Sequence, residues 1–305
     1  MCIMNNILII SNKPERLESF IKYYNIFNEP TDIVLNVILD DRYQTYDLSD
    51  TIKDNYNIYY ASDAVKQLVP RLSDPETAEI ILDKFRLSIK LLVILYAHEV
   101  LGMEKVCMMD DDTFLIQPID SYFENDYVFY NERVLGRMSV AVENLMTGIY
   151  SDLVDVHKMN TKPHFTLNSG QVIHTKNPNL FKFIDRAFCS DLLNVVCGAI
   201  EKYKSKKNYL GNIHHRPIGG KYWIMEQNVY AVYFRWLTEN GYAVKEFPRN
   251  EFKLYEGLLK PNYTMDRIRK LPKFLHYLPT DKSPLYDTVA KQLDRIINKE
   301  IHVPR

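Results

Sequence analysis

The chain has 305 residues, 46% of them hydrophobic, enough for a sizeable core in one large domain or two small ones. Its net charge is −1 and its pI is about 6.7, so nothing in the overall charge calls for a nucleic-acid or membrane partner. Four cysteines, Cys2, Cys107, Cys189 and Cys197, form no Cys-x-x-Cys pair and are too sparse for a disulfide framework, which points to free thiols in the cytoplasm.

The first residues show neither the basic stretch nor the apolar stretch of a secretory signal. No apolar run approaches the ~20 residues of a membrane span. Residues 6–10 are apolar and end at Ser11-Asn12. Pro14 and Glu15 then open a helical pattern through Leu17, Phe20, Ile21 and Tyr24. A second apolar strand over 33–39 ends at Asp40-Asp41, and a short third over 58–60 ends at Ser62-Asp63. Three strands that end in polar residues predict one edge of a mostly parallel sheet, where ligands gather at the C-terminal strand ends. Asp40, Asp41 and Asp63 suit ligand contact or plain turn chemistry equally. Residues 76–100 carry an apolar helical face of Ile80, Ile81, Phe85, Ile89, Leu92 and Leu95, closed by Gly102. Lys84, Arg86 and Lys90 lie near the middle of that stretch, either solvated or reaching a phosphate.

The most informative stretch follows. Residues 106–109 read as a buried strand that ends in Asp110-Asp111-Asp112, with a second apolar run directly after. Three adjacent carboxylates between apolar residues repel one another and lose hydration. A cation relieves both costs; a solvated acidic turn is the other reading. In an extended chain, Asp110 and Asp112 would share one face and Asp111 the other. Two carboxylates on one face suit a hard divalent ion such as Mg²⁺ or Mn²⁺.

Beyond it, 119–123 reads as a short helix and 127–130 as a strand. Residues 131–162 read as a lid-like loop or a pair of short surface helices. Residues 164–174 embed an Asn168-Ser169-Gly170 turn in strand residues. Gly170 fits a tight turn, an ordinary bulge or a close backbone approach to a ligand. A helix opens at Asn177-Pro178. Residues 202–221 form a glycine-containing basic loop with Lys202, Lys204, Lys206, Lys207, Arg216 and Lys221 and no acid, which reads as a solvated loop or a polyanion site. Residues 223–236 are helical and open on Glu226-Gln227-Asn228, and 242–247 form a strand. Residues 260–273 are basic again, with Arg267, Arg269 and Lys270. A short strand then presents His276, a turn carries Lys282, and 288–301 form an amphipathic helix. Asn262-Tyr263-Thr264 fits a glycosylation sequon that a cytoplasmic chain leaves unused.

Four of these motifs, in order, resemble the GT-A glycosyltransferases of the glycogenin and lipopolysaccharide galactosyltransferase family (family 8). The family's strand, Asp-Ala-Asp-Thr and apolar run corresponds to 109–114. Its Phe-Asn-Ser/Ala-Gly-Val corresponds to Leu167-Asn168-Ser169-Gly170-Gln171-Val172, and its Asp-Gln-Asp/Gly to Glu226-Gln227-Asn228. Its His-Phe-x-Gly-x-x-Lys-Pro-Trp corresponds to 276–282. Here Glu226 replaces an aspartate, Pro279 stands where glycine is usual, Ser283 replaces a proline and no tryptophan follows. The match spans about 6–283.

The resemblance implies an α/β fold of GT-A type, with a Rossmann-like, mostly parallel sheet flanked by helices and an acceptor-side region of loops and helices. It implies one catalytic domain over 1–283, with a nucleotide-sugar half about 1–120 and an acceptor half about 121–283, followed by a C-terminal helix over 284–305. It implies Mn²⁺ or Mg²⁺ held by Asp110, Asp112 and His276, and a catalytic set of Asp110, Asp112, Glu226 and Gln227. Ser11, Asn12, Asp40, Asp63, Lys84, Arg86, Asp111, Asn168, Ser169, Gly170 and Lys282 would contact substrate. The reaction implied is transfer from a nucleotide-diphosphate sugar, a UDP-sugar first, to a hydroxyl on a glycan or protein, with retention. If the reaction inverts, Glu226 is the natural base. The two basic segments leave open the same chemistry on a hydroxylated base in DNA. A sugar nucleotidyltransferase is a third reading, against which 11–16 holds no glycine for a phosphate loop. A non-catalytic GT-A-like binding protein is a fourth, against which stands the intact Asp110, Asp112 and His276 set.

Overall fold

Ile7, Leu8, Ile9 and Ile10 are all buried. A strand needs such an unbroken apolar run when both its faces are covered, as in parallel sheets flanked by helices. A computed structural model describes residues 5–28, 32–71, 75–84, 89–103, 105–123, 128–130, 132–134, 165–167, 172–175, 244–246, 252–255, 259, 263–271, 274–277 and 285–301. The strands are β1 (Asn5–Ser11), β2 (Ile33–Leu39), β3 (Asn57–Tyr60), β4 (Lys105–Asp110), β5 (Thr113–Leu115), β6 (Val128–Tyr130), β7 (Glu132–Val134), β8 (Phe165–Leu167), β9 (Val172–Thr175), β10 (Val244–Glu246), β11 (Phe252–Tyr255) and β12 (Phe274–Tyr277). The helices are α1 (Pro14–Phe27), α2 (Asp50–Asn55), α3 (Ala61–Leu68), α4 (Pro75–Lys84), α5 (Ile89–Glu99), α6 (Asp120–Phe123), α7 (Met265–Ile268) and α8 (Leu285–Ile301).

The main sheet has seven strands in the order β10-β6-β9-β4-β1-β2-β3. β1 pairs in parallel with β2 on one side and β4 on the other, and β2 pairs in parallel with β3. Only β9 runs against its neighbours, antiparallel to both β4 and β6. The sequence expectation of a mostly parallel α/β sheet, with the first three strands at one edge, matches this architecture. A second sheet, β11-β12-β5, and an antiparallel pair, β7-β8, complete the described strands.

Alternation along the strands splits the core. Ile7, Ile9, Leu35, Val37, Leu39, Cys107 and Met109 face α1, meeting Leu17, Phe20, Ile21 and Tyr24. Leu8, Ile38 and Met108, on the alternate positions, are equally buried. α3 and α5 pack on each other and bury Ala61, Ala64, Leu92, Val93 and Ala97. α5 stops at Gly102, whose φ of +67° suits glycine and lets the Met103 N–H reach the Ala97 carbonyl at 2.9 Å, a left-handed cap. α8 closes a separate cluster with Tyr23, Phe114, Ile116, Leu259 and Ile268. There the Tyr23 hydroxyl donates to the Ala290 carbonyl at 2.6 Å. Among the described residues no helix is long and apolar enough to cross a membrane.

A polar ladder crosses the parallel edge. The Asn36 amide donates to Asn6 Oδ1 at 3.1 Å and accepts from Asn57 Nδ2 at 3.1 Å. It also reaches the Ile7 and Val34 carbonyls. The bonds to Asn6, Ile7 and Asn57 exist in one strand register only, so a slip would leave buried amides unsatisfied. Asn36→Ala should lower the unfolding free energy by about 1–3 kcal/mol, read from urea melts; a loss below a few tenths would remove the ladder as a register device.

Several sequence expectations change in detail. The chain does not stay extended through the acidic triplet: β4 ends at Asp110, and Asp111 and Asp112 form a turn before β5. Strand alternation therefore does not govern where those carboxylates go. The helix expected over 76–100 is described as α4 and α5, with 85–88 outside the described residues. β11 and α2 carry no expectation from the sequence. The helices expected from 177 and over 223–236, and the basic loop 202–221, lie outside the described residues.

Candidate functional site

The strand order decides where a ligand fits. The chain lays down β1, then β2 and β3 outward on one side, and returns to place β4 on the other side of β1. The crevice at the C-terminal ends of β1 and β4 is thus a topological switch point, where open α/β sheets bind ligands. Ser11 ends β1 and Asp110 ends β4, with Ile10 registered against Asp110. The acidic turn stands in that crevice.

Its three carboxylates have different surroundings. Asp111 is 7% exposed. Its Oδ2 accepts from the Ser11 hydroxyl at 2.6 Å, and its Oδ1 accepts from Arg16 Nη1 at 3.0 Å. Burial pushes the Asp111 carboxyl above its ordinary range, against the pull of Ser11 and Arg16, and the Asp110 charge adds to the push. Burial alone would lower Arg16, but Asp111, together with Asp112 and Asp287, outweighs it and holds the guanidinium above its ordinary value. The Ser11 Oγ also accepts from the Lys13 N–H at 2.9 Å. This triad ties the end of β1, the first turn of α1 and the acidic turn into one unit. Asp110, half-buried, receives the Lys90 ammonium of α5 at 2.6 Å on Oδ1. Asp112 is 8% exposed; its Oδ1 is buried and makes no hydrogen bond among the described residues, and the residue interacts electrostatically with Arg16.

The second sheet grows from this turn. β5 pairs antiparallel with β12, and the register sets His276 opposite Thr113, the residue after Asp112. The backbone of His276 is thus beside the acidic turn, although the two are far apart in the chain; its side chain lies outside the described residues. β9 provides the third approach. Val172 registers with Met108, two residues before Asp110. Asn168, Ser169 and Gly170, where the sequence predicts a turn, fall between β8 and β9 in the chain and lie outside the described residues.

The other predicted positions spread along the same rim. Asn12 is exposed just past β1, and its carbonyl accepts from Gln44 at 3.0 Å. Asp40 follows β2 and is engaged by Arg42 through both oxygens, Nε to Oδ1 at 2.8 Å and Nη2 to Oδ2 at 3.1 Å. Arg42 Nη1 reaches the Leu82 carbonyl at 3.2 Å, which ties this loop to α4. Asp63 is exposed in the first turn of α3. Lys84 ends α4, with its side chain outside the described residues, as are Arg86, Glu226, Gln227 and Lys282 entirely.

The sequence reading assigned no role to Arg16 or Arg42. A signal for Arg16 existed: an arginine in the first turn of α1 sits at the positive end of the helix dipole, an unfavourable place unless a carboxylate meets it.

Among the described residues no group of three or more His, Cys, Asp or Glu side chains converges as a metal site. They do supply hard oxygen donors at Asp110 and Asp112, with Asp111 committed to Ser11 and Arg16. Mg²⁺ is commonly bound through one or two carboxylates, with water and substrate phosphate completing the shell, and Mn²⁺ takes similar ligands. The donor chemistry therefore fits either ion.

No protein-family model and no curated protein matches this chain. Three similar solved structures are glycosyltransferases. The galactosyltransferase LgtC, in complex with donor and acceptor sugar analogues, is 12% identical over 98% of both chains, with a TM-score of 0.49. The bifunctional glycosyltransferase WbbM is 12% identical over 99% of this chain and 52% of its own, with a TM-score of 0.47. The glycosyltransferase GlyE of Streptococcus pneumoniae TIGR4 is 9% identical over 99% of this chain and 65% of its own, with a TM-score of 0.42.

Proposed function

We propose that the chain is a metal-dependent glycosyltransferase. It moves a sugar from a nucleotide-diphosphate sugar, a UDP-sugar first, to a hydroxyl acceptor, with retention at the anomeric carbon. The observation that carries this reading is the meeting at one switch point of three segments that the sequence singles out. Asp110 and Asp112 end β4 and form its turn, Val172 follows the Asn168-Ser169-Gly170 motif, and His276 is registered against Thr113. All three segments are far apart in the chain, so their convergence does not follow from local structure.

On this reading Ser11, Asn12, Asp40 and Asp63 line the nucleotide side, along the ends of β1, β2 and β3. The Ser11–Asp111–Arg16 unit holds the acidic turn rigid, so that Asp110 and Asp112 present fixed oxygens. Held by Asp110, Asp112 and His276, Mn²⁺ or Mg²⁺ would offset the negative charge that grows on the departing diphosphate. Lys282 adds a point charge to the same leaving group. Asn168, Ser169 and Gly170 hold the donor sugar, and Glu226 and Gln227 stand where the acceptor hydroxyl approaches. Residues 1–120 serve the nucleotide and 121–283 the acceptor. The sparse cysteines fit work in the cytoplasm.

A thermal-shift panel of UDP-, GDP-, CMP- and dTDP-sugars, each with Mn²⁺ or with EDTA, tests this. One donor should raise the melting temperature with Mn²⁺ only, a ligand at ~100 times its Kd adding about 2.7 kcal/mol to the fold. A flat response across the panel would sink the proposal.

A further inference from the structure

At the acidic turn, Asp111 and Asp110 each have a cation at hydrogen-bond distance among the described residues. Asp111 has Arg16 at 3.0 Å, and Asp110 has Lys90 at 2.6 Å. The two ion pairs differ in kind. Arg16 leaves the first turn of α1 and engages a carboxylate that also takes the Ser11 hydroxyl, a closed arrangement within the fold. Lys90 engages one oxygen of Asp110, at the mouth of the crevice, on a carboxylate that the proposed function gives to a divalent ion. An ammonium is a compact charge on a flexible four-carbon stem, able to leave one anion for another.

We infer that Lys90 and a divalent cation compete for Asp110, and that this competition couples metal binding to nucleotide binding. The inference rests on the metal-dependent reading above and adds a role for a residue outside the expected ligand set. In the free protein the Lys90 ammonium satisfies Asp110. A divalent ion arriving alone must lose part of that carboxylate to Lys90, or sit beside an uncompensated positive charge in a partly desolvated site, where like charges repel strongly. A nucleoside diphosphate brings two or more negative charges to the same crevice, so both cations find anions and the conflict disappears. Lys90 thereby keeps the bare protein from holding a metal ion tightly and makes the diphosphate its co-ligand. Coupling of this kind is reciprocal: the metal must tighten the diphosphate by the same factor.

The test reads Mn²⁺ directly, from the electron paramagnetic resonance signal of the free ion, and needs no turnover. Mn²⁺ is titrated into the whole chain alone and with UDP, GDP, CDP or dTDP, for the wild type, Lys90→Met and Lys90→Arg. The wild type should bind Mn²⁺ weakly alone and about ten-fold or more tighter with the matching diphosphate, within the usual span of such couplings. Lys90→Met should bind Mn²⁺ alone about ten-fold tighter than the wild type, and its gain from the diphosphate should shrink by the same factor. Lys90→Arg, which keeps the charge, should stay near the wild type. If Lys90→Met binds Mn²⁺ alone no tighter than the wild type, the competition is overturned while the transferase reading survives. If no protein binds Mn²⁺ with any diphosphate, the transferase reading falls and this inference with it. If Lys90→Met does not fold, acetylation of Lys90 in the wild type decides, read by mass spectrometry. Saturating Mg²⁺ alone should free the amine and raise its labelling several-fold; unchanged labelling overturns the competition.

Discussion

Arg16→Met should destabilise the fold by about 3–5 kcal/mol, the usual cost of stranding one member of a buried ion pair. Both side chains are nearly inaccessible, at 9% and 10% exposure, so water cannot replace the guanidinium. Asp111 would keep one bond, from Ser11, and a carboxylate whose burial already pushes it upward would lose one of its two counterweights. The loss should depend on pH in a defined sense. A carboxyl held above its ordinary value takes up a proton in the folded chain before it does in the unfolded one. The fold is therefore favoured at pH values below the ordinary carboxyl value, and this advantage disappears as pH rises through the folded value. The deficit of Arg16→Met should accordingly be smallest in acid and grow toward neutrality. Arg16→Met combined with Asp111→Asn removes the stranded charge and should recover at least about 1 kcal/mol over the sum of the single losses. Urea melts at three pH values measure all of this. A deficit below about 1 kcal/mol at neutral pH would show that Asp111 is not anchored through Arg16.

What the sequence disclosed and what it withheld follow from the range of the interactions. The parallel strands were legible because burial on both faces demands continuous apolar runs, and 6–10, 33–39 and 106–109 are such runs. Their ends were legible because polar residues follow at once. Gly102 was legible because the cap needs a positive φ. The reversed strand β9, inserted between β4 and β6, was not, since a four-residue strand has the same pattern in either direction. The pairing of β5 with β12 joins segments far apart in the chain, and nothing local marks it. The motif order that suggested His276 as a partner of the acidic turn came from resemblance rather than spacing. For the acidic triplet itself, the alternation argument failed because the chain turns at Asp111 and Asp112. The identity of the cations facing it depended on helix placement: Arg16 and Lys90 come from two helices, α1 and α5. In sequence both look like solvent-facing charges on amphipathic segments.

The turn also sets up a dissociation between neighbours. Asp111 and Asp112 are adjacent, comparably buried and both acidic, yet their replacements should fail in opposite ways. Asp111→Ala removes the acceptor of both Ser11 and Arg16 and takes its hydrogen-bonded carboxylate from a buried guanidinium, so stability should fall by about 3–5 kcal/mol. Transfer by the fraction that still folds should fall much less. Asp112→Ala removes a carboxylate that interacts with Arg16, and Arg16 keeps Asp111. Its stability should change by about 1 kcal/mol or less, the common size of a single substitution effect. If Asp112 holds the metal, however, the variant loses charge stabilisation of several kcal/mol at the leaving diphosphate. At 1.36 kcal/mol per factor of ten, that is a fall in kcat/KM of about 10²–10³-fold. The metal-dependent thermal shift should vanish with it. The assay is transfer from the donor that the panel identifies, normalised to folded protein by circular dichroism. If the two variants lost activity in proportion to their stability, the acidic turn would be a structural corner of the sheet and the nucleotide would bind elsewhere along the rim. A stable, inactive Asp112→Ala beside an unstable, active Asp111→Ala would instead divide the triplet into an anchor and a ligand set, and would place the chemistry at the switch point.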